Sequence, residues 1–153
     1  MPGATLSKRL PRVVVLVGLP GSGKSSWAAR KGLPTLSSDA MRATLADDAT
    51  NQTIHKQVFQ ALRYLLRQRI ALGRPVTCVD ATHLTPRERR PYFRLQGCRV
   101  EAVYFKTPLA VCLERNSQRE RVVPAEAIER MAGIMVKPTK AEGFHRVLVM
   151  RVP

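Results

Sequence analysis

Eight residues, Gly18 to Ser25, read GLPGSGKS and constrain this chain more than any other stretch. They follow Val13-Val14-Val15-Leu16-Val17, a run of β-formers, and lead into Ser26-Trp27-Ala28-Ala29-Arg30-Lys31, which continues as a helix. A G-x-x-x-x-G-K-[ST] pattern between a strand and a helix is a phosphate-binding loop. Gly18, Gly21 and Gly23 let the backbone curl so that successive N–H groups face a polyphosphate. The helix start adds its positive end, Lys24 reaches the outer phosphates, and the Ser25 hydroxyl is placed to ligate Mg²⁺. Pro20, Ser22 and Ser26 complete the predicted nucleotide site, and ATP or another NTP with Mg²⁺ is the expected cofactor pair.

A length of 153 residues fits a single domain, 1–153, and 44% hydrophobic residues suffice for a core. The net charge of +15, from 26 Lys and Arg against 11 Asp and Glu, favours an anionic partner over a cationic one. Nucleic acid is the first candidate, since a free nucleotide alone does not need so much charge; a basic surface with no partner is the alternative. Cys78, Cys98 and Cys112 stand inside predicted strands or helices without metal-ligand spacing, which reads as reduced, buried thiols of a cytoplasmic protein. No apolar run has membrane-spanning length, and the start MPGATLSKRLPR lacks a signal-peptide core.

Strands alternate with helices along the chain. Strands are expected at about 12–17, 35–38, 75–80, 99–105 and 146–150, and helices at about 24–31, 39–45, 52–72, 85–96, 107–117 and 124–136, with 137–143 a loop. In the longest helix, Ile54, Val58, Leu62, Leu65 and Leu66 form an apolar face closed by Gly73. Lys56, Gln60, Arg63 and Arg67 form a second stripe, read as a solvated face. Thr85-Pro86-Arg87-Glu88 is a capping box with Pro at the first helical position. The fold class is therefore α/β, a phosphate-loop fold with a mostly parallel sheet of about five strands, helices on both faces, and residues 115–140 as an Arg-rich lid. Ligands of such sheets bind beyond the carboxyl ends of the strands, which predicts Gly18, Asp39 and Asp80 on one rim.

Asp80 ends an apolar strand, where phosphate-loop proteins keep an acid that holds Mg²⁺ directly or through water; a turn or capping aspartate is the alternative. Asp39 and Arg42 are three apart at a helix start and face the same way. A carboxylate there can orient an attacking hydroxyl and take its proton, while an arginine holds an anionic group on the acceptor. Spacing alone equally allows a helix cap and a solvated arginine. Arg115, Arg119 and Arg121 leave a helix together, either as mobile cations over a transferring phosphoryl group or as a solvated basic helix end. Trp27 reads as packing behind the loop, His55 and His83 as non-ligands, and no aromatic cluster marks the acceptor region.

The stretches GLPGSGKSSW, LSSDAMR (36–42), VDATHLTPRERR (79–90) and ERNSQR (114–119), in that order and spacing, resemble the polynucleotide 5′-hydroxyl kinase family. Within it, LADDATNQT (45–53) and EGFHRV (142–147) are most similar to the kinase module of bacterial RNA end-healing enzymes, so the resemblance covers nearly the whole chain. It implies ATP-dependent transfer of the γ-phosphate to a 5′-hydroxyl of RNA or DNA. Lys24 and Ser25 would bind the NTP phosphates and Mg²⁺, and Asp39 would be the general base. Arg42 would grip the phosphate on the 3′ side of the terminal nucleotide, with Arg119 and Arg115 as lid arginines over the donor. The chain departs from the pattern at Arg121-Val122-Val123, which bring the lid to Pro124 where lids of the family vary. Two other readings stay open: a small-molecule kinase of the same fold, and a nucleic-acid-binding protein that uses ATP as a switch.

Overall fold

Five parallel strands form one sheet in the order β2-β3-β1-β4-β5, in a computed structural model that describes residues 9–151. The strands are β1 (Arg12–Val17), β2 (Thr35–Ser37), β3 (Val76–Asp80), β4 (Arg99–Lys106) and β5 (Arg146–Arg151). Between them run α1 (Lys24–Arg30), α2 (Ser38–Ala46), α3 (His55–Ala71), α4 (Pro86–Arg89), α5 (Leu109–Ser117) and α6 (Ala125–Ile134). The opening residues 1–8, where the absence of a signal-peptide core was read, and residues 152–153 lie outside the described part.

Strand β1 is central, and a central parallel strand buries both faces. Val13, Val15 and Val17 face one layer with Leu66, Tyr92 and Phe144, while Val14 and Leu16 face the other with Trp27, Cys78 and Phe105. This is the two-residue alternation of a strand divided between two cores. Trp27 meets Phe105 edge-on at 5.8 Å, behind the phosphate loop as its apolar ring requires. The order places the change of direction between β1 and β3, so their carboxyl ends open a crevice. Register sets Ser37 beside Asp80, which brings the start of α2 to that crevice.

Five local expectations change. Helix α3 begins at His55 rather than at Gln52, because the Asn51 side chain accepts from the backbone and hydroxyl of Thr53 and holds a turn there. Leu65 is 38% exposed and sits off the core face. The expected helix from Thr85 to Gln96 stops at Arg89 and continues as a 3₁₀ turn, Arg90–Arg94, since Pro91 has no N–H for an α-helical bond. Cys98 is half-buried in the bend before β4, while Cys78 and Cys112 are buried thiols. The expected loop at 137–143 contains a 3₁₀ turn, Lys140–Glu142, with a Thr139–Glu142 capping box.

Candidate functional site

The crevice is a cleft of about 1570 Å³, and every site residue expected from the sequence except Gly18 lines it. Gly18 closes the loop from beneath: a Cβ there would come within 2.5 Å of Ser22 Oγ and 3.1 Å of Phe105 Cβ. Gly21 and Gly23 have φ of 81° and 103°, the left-handed conformations that turn successive amides inward. At Gly21 a Cβ would also meet the Cys112 carbonyl oxygen at 2.5 Å, so α5 is seated directly on the loop.

Lys24 is buried, and its Nζ donates to the carbonyls of Gly18 at 2.9 Å and Leu19 at 2.8 Å. Burial pushes its ammonium down from 10.5 to about 8, against the pull of nearby Asp80 and with a further push from Arg119. Ser25 Oγ donates to Asp80 Oδ2 at 2.5 Å, so a hydroxyl and a carboxylate stand together on the cleft floor. Such hard oxygen donors fit Mg²⁺, which takes few protein ligands and completes its shell from phosphates and water. No cluster of three or more His, Cys, Asp or Glu exists among the described residues, so an all-protein cage is not on offer.

On the opposite wall Asp39 stands in the first turn of α2. Ser37 caps that helix through its own oxygen, accepting from the Ala40 amide at 3.2 Å, which leaves the Asp39 carboxylate free of capping. Arg42 Nη1 lies 3.4 Å from Asp39 Oδ1. The Arg42 side chain is buried, and its Nε has no partner among the described residues.

Arginines from 115 to 121 also reach the cleft. Arg115 lies 3.6 Å from the position a Cβ on Gly23 would take, and Arg119 lines the cleft. Arg121 Nη1 reaches Asp39 Oδ1 at 2.7 Å. A buried Asn116 holds the lid turn by donating to Val123 O at 2.6 Å and accepting from the Val123 amide at 3.0 Å.

Three features escape the sequence reading. Arg121 as a partner of Asp39 was invisible, because the contact is between distant segments. Lys56 and Arg63 line the cleft, so part of the supposed solvated stripe of α3 faces it. Phe59 lines it too, with the His55 ring tilted over it at 4.6 Å, so this part of the cleft is not bare of aromatics. The signal was available only as an i, i+4 pair on a helix whose rotation the sequence did not give. His83, in contrast, is a core histidine: its Nδ1 donates to Leu16 O at 2.6 Å and its Nε2 accepts from the Tyr92 hydroxyl at 2.7 Å. A carbonyl only accepts, which assigns that tautomer. Burial pushes His83 down from 6.5 to about 4, so the ring is neutral.

No curated protein sequence matches the chain. Among solved structures it is similar to a chain of the Pnkp1/Rnl/Hen1 RNA repair complex, at 17% identity and a TM-score of 0.71, covering 84% of this chain and 45% of that one. The chain therefore spans less than half the length of that neighbour. It is also similar to the Mycobacterium tuberculosis APS kinase CysC, at 22% identity over 92% of this chain and 89% of that one, with a TM-score of 0.60. A gluconokinase from Sinorhizobium meliloti matches at 20% identity over 94% and 84%, with a TM-score of 0.59. At such identities the likeness speaks for the fold, which is that of phosphate-loop kinases. No helix among the described residues is long and apolar enough to cross a membrane. The family model described as AAA domain matches residues 13–138, most of the chain, and the protein belongs to that family.

Proposed function

We propose that this chain is a single phosphate-loop kinase domain that moves the γ-phosphate of ATP or another NTP to the 5′-hydroxyl end of RNA or DNA. The observation that carries the reading is the buried Arg42 guanidinium. It lines the cleft beside Asp39, and its Nε lacks a partner. A buried cation left short of a hydrogen-bond acceptor is costly unless a ligand supplies one, and an acceptor phosphate does so. A nucleic acid end is one acceptor that carries a phosphate next to its reacting hydroxyl. A fold neighbour that sits in an RNA repair complex supports the same acceptor class. The net charge of +15 agrees with it, and a triphosphate donor points to the inside of the cell.

In this reading the loop amides from Gly21 to Ser26 bind the donor phosphates, except that of Ser22, which donates to Leu19 O. Lys24 exchanges its bonds to loop carbonyls for phosphate oxygens. Ser25 and Asp80 would hold Mg²⁺, Asp80 directly or through water, and it would supply positive charge at the donor phosphates. Asp39 accepts the hydroxyl proton as the oxygen attacks in line, and Arg42 fixes the acceptor so that this oxygen faces the donor. Arg115 and Arg119 close on the donor and stabilise the charge on the equatorial oxygens.

The test is transfer of labelled γ-phosphate to 5′-hydroxyl oligonucleotides. Transfer should occur with the wild type, and Asp39→Ala should lower kcat by about 10²-fold or more while leaving ATP affinity nearly intact. Absence of transfer under varied divalent metals would refute the assignment. A small-molecule kinase, the activity of the gluconokinase and APS kinase neighbours, would instead be indifferent to Arg42→Ala and to moderate salt.

A further inference from the structure

A second groove, about 610 Å³ in volume, runs between α3 and the 3₁₀ turn Arg90–Arg94. Its lining includes Arg63, Arg67 and Arg94, with Ile70, Pro91 and Leu95 between them, and no carboxylate. Arg63 and Pro91 also line the main cleft, so the two concavities share a wall. Two neighbouring arginines have partners. Arg69, on the same helix, donates to Thr77 Oγ1 and Val76 O, and Arg89 forms an ion pair with Glu142. Arg63, Arg67 and Arg94 form no ion pair or side-chain hydrogen bond among the described residues.

We propose that this groove is an extension of the acceptor site that binds the backbone of a single polynucleotide strand downstream of its 5′ end. The inference rests on the acceptor reading above and gives it a length. Three arginines with no acid nearby converge on one concave surface, and like charges gathered without compensation favour a polyanion. Arg63 and Arg67 are one helical turn apart, a rise of about 6 Å, which suits successive charges along an extended strand. The apolar residues between the arginines give unstacked bases a surface that reads no sequence. Arg42 lines only the main cleft and Arg63 lines both, so in this proposal the phosphate nearest the reacting hydroxyl meets Arg42 and later ones meet Arg63, Arg67 and Arg94.

The experiment compares fluorescent 5′-hydroxyl RNA and DNA strands, dinucleotide and dodecamer, bound by the full chain in the absence of nucleotide across a salt series. Wild-type affinity should rise with strand length. The pair Arg67→Gln/Arg94→Gln should weaken the dodecamer about tenfold and lower the slope of log affinity against log salt by about 1.4, two contacts at 0.7 each. It should leave the dinucleotide within about twofold. Arg67→Lys/Arg94→Lys should restore most of the loss, because a phosphate contact accepts a point charge. A melting temperature and ATP affinity equal to wild type guard against misfolding. Equal dodecamer binding by wild type and the Gln pair would overturn the proposal, as would a wild type that gains nothing with length or that prefers duplex or polyglutamate. These outcomes are read without catalysis. A wild type that binds long strands through the groove yet transfers no phosphate would refute the kinase assignment and leave the groove standing.

Discussion

Lys24 stands where the phosphate loop concentrates its charge, and its burial sets a pH limit on the site. With its ammonium at about 8, the lysine loses its proton as pH rises through that value, well below the ordinary 10.5. Phosphate binding demands the charged form, so ligand binding must take up a proton above that point. Affinity for ATP or ADP should therefore be flat near neutrality and fall above about pH 8 by up to tenfold per unit. Calorimetric titrations in buffers of different ionisation enthalpy check both the affinity and the proton uptake. Lys24→Met should bind more weakly and lose the pH dependence. At the same scale, Asp39 shows what sequence spacing leaves open. From its position it was equally a cap or a base, and Ser37 takes the cap through a 3.2 Å bond, which leaves the Asp39 carboxylate uncapped.

The short helix α4 depends on one side chain. Arg89 is completely buried; its Nε and Nη2 meet the two carboxylate oxygens of Glu142 at 2.9 and 3.1 Å, and its Nη1 donates to His83 O at 2.8 Å. The bidentate pair ties the segment after β3 to the turn before β5, and Glu142 accepts from the Thr139 amide as well. Breaking a buried pair by removing one partner leaves an uncompensated charge. Arg89→Met should therefore cost about 3 to 5 kcal/mol of unfolding free energy, measured in urea, and adding Glu142→Gln should recover part of it. Nothing local in the sequence announces this pair, because its members are 53 residues apart. Elements announced by periodicity were legible: β1, the loop and β3 stand where alternation and glycine spacing put them. The break at Pro91 was written in the chain but outweighed by the strong start at Thr85-Pro86. The rotation of α3, which turns Phe59 and Arg63 toward the cleft, is decided by packing of Val58, Leu62 and Leu66 and not by the helix itself.

For the molecule as a whole, the sheet order was not derivable from the alternation of elements, yet its functional consequence was: the rim at the carboxyl ends collects Gly18, Asp39 and Asp80 in any right-handed parallel arrangement. The core places one titratable ring at its centre. His83 is held neutral, with burial bringing it from 6.5 to about 4. A folded-state value below the unfolded one means that the unfolded chain accepts a proton the native one refuses. Stability is then complete above about 6.5 and declines as pH falls toward about 4, by about 3 kcal/mol from this group. Denaturation curves at neutral and acid pH test it, and His83→Gln should lose that part of the acid sensitivity whatever its stability at neutrality.

The Asp39 oxygen gripped by Arg42 from beneath is gripped by Arg121 from above, and Arg121 hangs on a turn that Asn116 pins to the same helix as Arg115. One strap thus crosses the cleft from the donor half to the acceptor half. In the proposed reaction, a ligand that displaces Arg121 would loosen this contact for the other, which predicts that donor and acceptor bind cooperatively. In the reaction proposed above, this ion pair predicts slow loss of the triphosphate to water until an acceptor end displaces Arg121 from Asp39.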